Sequence, residues 1–217
     1  MNCLIFYILI LLNQNYSTFT VESGRDIKMY WKGKDGKVIG SFDRIEDKVI
    51  FATNAGAYDE NQKPIGLYIQ EGKVITKINK AKGTSNFSTY PNGVFYINES
   101  SKSGICVTEK FINKNIRYAQ QSGPMLVIDG TISPSVKNKT NSAFIRNGVG
   151  ILKDGTTIFA ISKTKITMSE FAKYFVEIGC ENALYLDGGV SQAFPMKAKP
   201  TQHFGVIIGV INPTNND

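Results

Sequence analysis

The chain has 217 residues, 42% of them apolar and 20% charged, with a net charge of +7. That length and balance suit one globular domain and exclude a disordered chain, a collagen-like repeat and a bundle of membrane spans. The positive balance favours anionic partners, but the lysines are scattered singly and no basic helix or nucleic-acid module is present, so nucleic acid is not an expected partner.

The chain opens with ten consecutive apolar residues, 3–12 (CLIFYILILL). Such a run suits the core of an export signal and is too short to cross a bilayer, which takes about 20 residues. Residues 1–22 are therefore read as an export segment. That implies a secreted, periplasmic or envelope-facing protein with no stable membrane span after its removal. Cys3 stands at the start of the run, which gives a lipoprotein anchor no support. Residues 13–26 read as linker, and 23–44 as N-terminal strands leading into a main domain over 45–212.

From there the pattern is strand, turn, strand. β-prone runs flank Asp35-Gly36 in residues 29–42, Glu71-Gly72 in 65–78, Asp129-Gly130 in 125–132 and Asp154-Gly155 in 149–161. Such dipeptides signal hairpins, because a type I′ turn needs positive φ at both central positions. A fifth pair, 93–97 and 105–111, flanks a polar loop. One helix stands out. Thr167-Met168-Ser169-Glu170 has the capping-box form, apolar residues recur at helical spacing through Ile178, and Gly179 suits a left-handed stop. The expected fold class is α+β: a single domain with a mixed, mainly antiparallel β-sheet built from hairpins and one or more packed helices. Ala183-Leu184-Tyr185-Leu186 reads as a buried strand that delivers Asp187 onto a glycine turn. Cys106 and Cys180 either pair or stay as free thiols.

The chemistry narrows by elimination. The sequence has one histidine, His203, in no recognisable motif, so a multi-histidine metal site is excluded by count. No nucleophile elbow, P-loop or dinucleotide fingerprint is present. Carboxylate, arginine and amide chemistry remains. Arg146, ahead of Asn147-Gly148-Val149-Gly150, suits two-pronged binding of phosphate or carboxylate; an internal ion pair, with Asp187 as partner, is the alternative. Asp187 can serve as nucleophile, base or ligand, or cap its own turn. No cofactor is predicted, and a divalent ion held by carboxylates and waters stays compatible with the composition.

Five stretches place a polar side chain beside a glycine and an apolar strand: Asn54-Ala55-Gly56-Ala57-Tyr58, Pro91-Asn92-Gly93-Val94-Phe95-Tyr96, Gln121-Ser122-Gly123-Pro124-Met125-Leu126, Ile145-Arg146-Asn147-Gly148-Val149-Gly150 and Ala183-Leu184-Tyr185-Leu186-Asp187-Gly188-Gly189-Val190-Ser191. Their common form predicts strand ends converging on one polar pocket. In order and spacing they resemble the phosphodiester glycosidase family, that of the mannose-6-phosphate uncovering enzyme, over about residues 45–211. The likeness is greatest to its short bacterial members. The chain departs from many members in carrying Asn54-Ala55-Gly56 with Tyr58 for Asn-Gly-Gly with Phe, and Val190 for a third glycine.

The resemblance implies hydrolysis of a diester that joins a sugar's anomeric carbon, through phosphate, to another group. Arg146 would neutralise the departing phosphodiester. Asp187 would support an oxocarbenium-like centre, as nucleophile or as base for water. Asn54, Asn92 and Gln121 would bind sugar hydroxyls or phosphate oxygens, Ser191 would orient Asp187, and Tyr58, Ser122, Gly123, Gly188 and Gly189 would complete the substrate pocket. The expected partner is an anionic glycan or sugar-phosphodiester substrate. A hydrolase of another anionic glycan or lipid-linked phosphate, and a non-catalytic glycan-phosphate binding protein, stay open as readings.

Overall fold

Three antiparallel sheets wrap around a shared core in the computed structural model, which describes residues 15–21, 25–83, 85–187, 189–195 and 203–211. The apolar run 3–12, the tail 212–217 and Gly188 lie outside the described residues. The six-stranded sheet runs, in spatial order, Tyr16–Val21, Thr157–Ser162, Asn147–Leu152, Cys180–Tyr185, Met125–Ile128 and Thr131–Ile132. A four-stranded sheet orders Ala193–Phe194, Val49–Asn54, Ile207–Ile211 and Ile27–Tyr30. A five-stranded sheet orders Lys73–Thr76, Tyr68–Gln70, Ile116–Ser122, Gly93–Asn98 and Ser103–Val107.

The core forms because alternate residues of each strand point inward. Val149, Phe159 and Leu184 from the first sheet meet Met29, Phe51 and Ile208 from the second and Tyr68, Phe95 and Tyr118 from the third. An aromatic chain ties the sheets together: Phe19 stacks on Phe51 at 4.6 Å, Phe51 on Phe159 at 5.2 Å, and Phe95 meets Phe159 edge-on at 5.9 Å. Burial of each such ring stabilises the fold by about 1.5–3 kcal/mol.

The helix Met168–Glu177 covers the outer face of the six-stranded sheet through Phe171, Ala172 and Phe175. Its capping box is complete: Thr167 Oγ1 accepts from Glu170 N at 3.2 Å, and Glu170 Oε2 accepts from Thr167 N at 2.7 Å. Gly179, at φ +84°, reverses the chain into the next strand. The expected α+β class, single domain and hairpins are all present. Glu71-Gly72 and Asp129-Gly130 have positive φ at both residues, as type I′ turns require. The reading differs at two places. After Asp35-Gly36 the returning arm makes only the bridge from Lys32 to Val38 before the chain turns at Gly40, φ +68°.

The second difference concerns the N-terminus. Residues 16–21, read as linker, instead pair along their whole length with Thr157–Ser162. Tyr16 stacks on Tyr174 of the helix at 3.8 Å. An export segment ending at residue 22 would carry this strand away, so any cleavage compatible with the fold falls before Tyr16. Cys106 and Cys180 are free thiols, and burial pushes them up to about 11 and about 12. Among the described residues no helix is long and apolar enough to cross a membrane.

Candidate active site

The predicted junctions converge. Asp187, at the end of Cys180–Tyr185, is clamped through its backbone: its N–H donates to Ala55 O at 2.8 Å, and its carbonyl accepts from Asn54 Nδ2 at 2.9 Å. Gly56 is glycine because a Cβ there would stand 2.7 Å from Gln121 O. Ser122 Oγ donates to Tyr185 O at 2.7 Å, which draws the third sheet onto the end of the first. Between these ends lies a cleft of about 380 Å³, whose lining includes Ser122, Gly123, Tyr185, Asp187 and Gly189 together with the segment Ser85, Asn86, Phe87 and Ser88.

Asp187 is the one carboxylate that lines this cleft among the described residues. Its Oδ1 accepts from Gly189 N at 3.1 Å, and among the described residues no ion pair reaches it. Burial raises its pKa above the ordinary value of 3.8, and the single backbone hydrogen bond offsets this only in part. Tyr58 stands near enough for the carboxylate to push its phenol up, in addition to the effect of burial, and its hydroxyl donates to His203 O at 3.1 Å.

Arg146 does not pair with Asp187. Its guanidinium is buried against Ile166 O, Ser142 O and Tyr185 Oη, outside the lining of the cleft. Asn54, Asn92 and Gln121, expected to bind substrate, turn inward instead. Asn54 Oδ1 accepts from Gln192 N at 2.9 Å and from Asn147 Nδ2 at 3.1 Å. Asn92 holds Phe87 O at 3.1 Å and Thr108 Oγ1 at 2.7 Å. Gln121 Oε1 accepts from Leu67 N and Asn79 N while its Nε2 donates to Asn79 O. These amides fix the loops that line the cleft. Ser191 donates to Ile145 O at 2.9 Å and contacts Asn147 Oδ1 at 3.1 Å, so it anchors the loop after Asp187 without touching the carboxylate.

Tyr185, Asn147 and the segment 85–88 are the residues that the sequence reading missed. Tyr185 carried a usable signal: it ends the strand that delivers Asp187 two residues further on. Among the described residues no cluster of three metal-ligating side chains occurs.

The fold and the order of the junctions define a class. Residues 47–212 match the phosphodiester glycosidase family, and the chain belongs to that family. YigE of Escherichia coli K12, whose function is uncharacterised, is 38% identical over 176 residues, covering 77% of this chain and 69% of that one. Two solved structures share the fold. One is the catalytic domain of zebrafish N-acetylglucosamine-1-phosphodiester α-N-acetylglucosaminidase, auto-inhibited by its pro-peptide: TM-score 0.57, 13% identity, 91% of this chain and 88% of that one. The other, from Burkholderia pseudomallei K96243, is described as a candidate exported protein: TM-score 0.63, 8% identity, 91% of this chain and 74% of that one.

Proposed function

We propose that the chain is an exported hydrolase that cleaves the glycosidic bond of a sugar-1-phosphodiester in this cleft. The observation that carries the reading is the state of Asp187: a carboxylate held in the cleft by its backbone, largely buried, with no cation paired to it among the described residues. Such a group is poised for positive charge that appears only during the reaction. An oxocarbenium-like centre supplies that charge, and Asp187 meets it as nucleophile or as base for water. Cleavage of the anomeric C–O bond releases the phosphate monoester of the other group as a weakly basic anion, so it needs no acid to protonate it. That accords with a cleft holding one carboxylate. Arg146 sits behind Tyr185 of the cleft lining and lends positive potential toward the leaving phosphate.

The test is release of free sugar from a panel of sugar-1-phosphodiesters by the full chain and by Asp187→Asn. Turnover by the wild type alone supports the reading. Release of a sugar phosphate would place the cut at the ester and overturn it. Ligand affinity without turnover in the wild type would leave a glycan-phosphate binding protein.

A further inference from the structure

Arg146 carries a strong charge near the cleft, yet it is placed where it does not touch what binds there. The residue is 1% exposed. Nε donates to Ile166 O and Nη2 to Ser142 O, each at 2.8 Å, and Nη1 donates to Tyr185 Oη at 3.0 Å. The guanidinium carbon lies 5.6 Å from the Phe144 ring and 5.5 Å from the Tyr185 ring, so aromatic faces cover it as well. None of its acceptors is an acid, and no ion pair among the described residues includes it. A buried cation without a counter-ion is costly. Lys139 adds to the same field: it donates to Thr89 Oγ1 at 2.9 Å, and burial together with the Arg146 charge lowers its pKa.

Of the groups around the guanidinium, Tyr185 alone also lines the cleft. Its hydroxyl oxygen accepts from Arg146, so its own proton must point elsewhere, and it meets no acceptor among the described residues.

We propose that Tyr185 donates a hydrogen bond to a non-bridging oxygen of the bound phosphodiester, and that Arg146 is a positioning residue acting through it. The identity of the anion rests on the glycosidase reading; the anion contact itself does not. A guanidinium that donates to a phenol oxygen polarises the O–H and makes it a stronger donor. Burial raises the phenol's pKa more than Arg146 lowers it, so the group stays protonated and able to donate at neutral pH. The arrangement also solves a problem of charge. A guanidinium free in the cleft would pair with Asp187, and each would cancel the other. With a neutral phenol interposed, both charges act on one substrate while remaining apart.

The experiment is an NMR titration of the full chain with dimethyl phosphate, made in the Asp187→Asn protein so that turnover plays no part. Adding Tyr185→Phe should weaken binding about tenfold or more, as loss of a hydrogen bond to a charged group does. Arg146→Lys should weaken it alone but add little on top of Tyr185→Phe, because the two act in series. Ser162→Ala removes the hydrogen bond from Arg146 N, made at 2.9 Å, without reaching the cleft, and affinity should stay. Unchanged affinity in Tyr185→Phe, an equal loss in Ser162→Ala, or no dimethyl phosphate binding by the parent would each overturn the proposal. Loss in Tyr185→Phe beside a wild type that releases no sugar from any diester would retire the glycosidase reading and keep the Tyr185 contact.

Discussion

Arg146 and Asn147 are neighbours on one strand end, and they face opposite ways. On the Asn147 side, neutral amides and hydroxyls satisfy one another: Asn147 Nδ2 reaches Thr53 Oγ1, Asn54 O and Asn54 Oδ1 at 3.0–3.1 Å, and Asn147 Oδ1 meets Ser191. On the Arg146 side, among the described residues, stand a guanidinium with no acid and, past Tyr185, a carboxylate with no base. The first face is finished and rigid. The second is electrostatically incomplete, which suits a group waiting for a ligand. Satisfied polar networks specify geometry, whereas unpaired buried charges cost stability and are kept where function uses them.

The contrast can be broken most sharply at Asp187. Asp187→Asn should lower turnover by about 10²–10⁴-fold, the range for a positioned acid or base, and yet raise the melting temperature at neutral pH. The sign follows from the raised folded pKa: the cost of the ionised carboxylate is full above that pKa, shrinks as pH falls through it, and vanishes below 3.8, where both states are protonated. Melting curves against pH should therefore converge at the acid end. A variant that melts lower than wild type at pH 7 would show the charged face to be satisfied after all.

The next effect concerns a strand that serves both sides of the sheet. A chain beginning at residue 15 should melt like the full chain. One beginning at residue 23 loses Tyr16 against Tyr174 and Phe19 against Phe51, at about 1.5–3 kcal/mol for each ring. Urea midpoints compare the two. On the finished face, Asn54→Ala orphans Gln192 N and frees the Asp187 carbonyl, and should cost about 1–3 kcal/mol for each buried group left unpaired, read from the same midpoints. The smallest change is Lys139→Gln. Stability should stay within about 0.5 kcal/mol, while dimethyl phosphate affinity falls a few-fold and depends less on salt.

The hairpins, the capped helix and the strand that ends at Asp187 were legible because each is written locally, in turn dipeptides, a capping box and an apolar run. The convergence of the five junctions was legible too, as a repeated pattern. The direction of each side chain was not. Asn54, Asn92 and Gln121 look in sequence like ligand-binding amides, since a buried amide that holds a loop and an exposed one that holds a sugar are the same residue type. Tyr185 reads as core because it sits in an apolar run, and it is buried, but that its hydroxyl meets Arg146 is known only once the strand is paired. Residues 16–21 looked like linker because their partner lies far downstream.

That distance has a consequence for how the molecule comes into being. Among the described residues Tyr16–Val21 pairs only with Thr157–Ser162, and Ile27–Tyr30 only with Ile207–Ile211. A chain made from its N-terminus holds the first of these strands without its partner until Ser162 is made, and the second until Ile211 is made. Long-range pairing of this kind closes late and slowly. The five-stranded sheet, whose strands all lie between Tyr68 and Ser122, can therefore pair while the other two still wait for their closing strands.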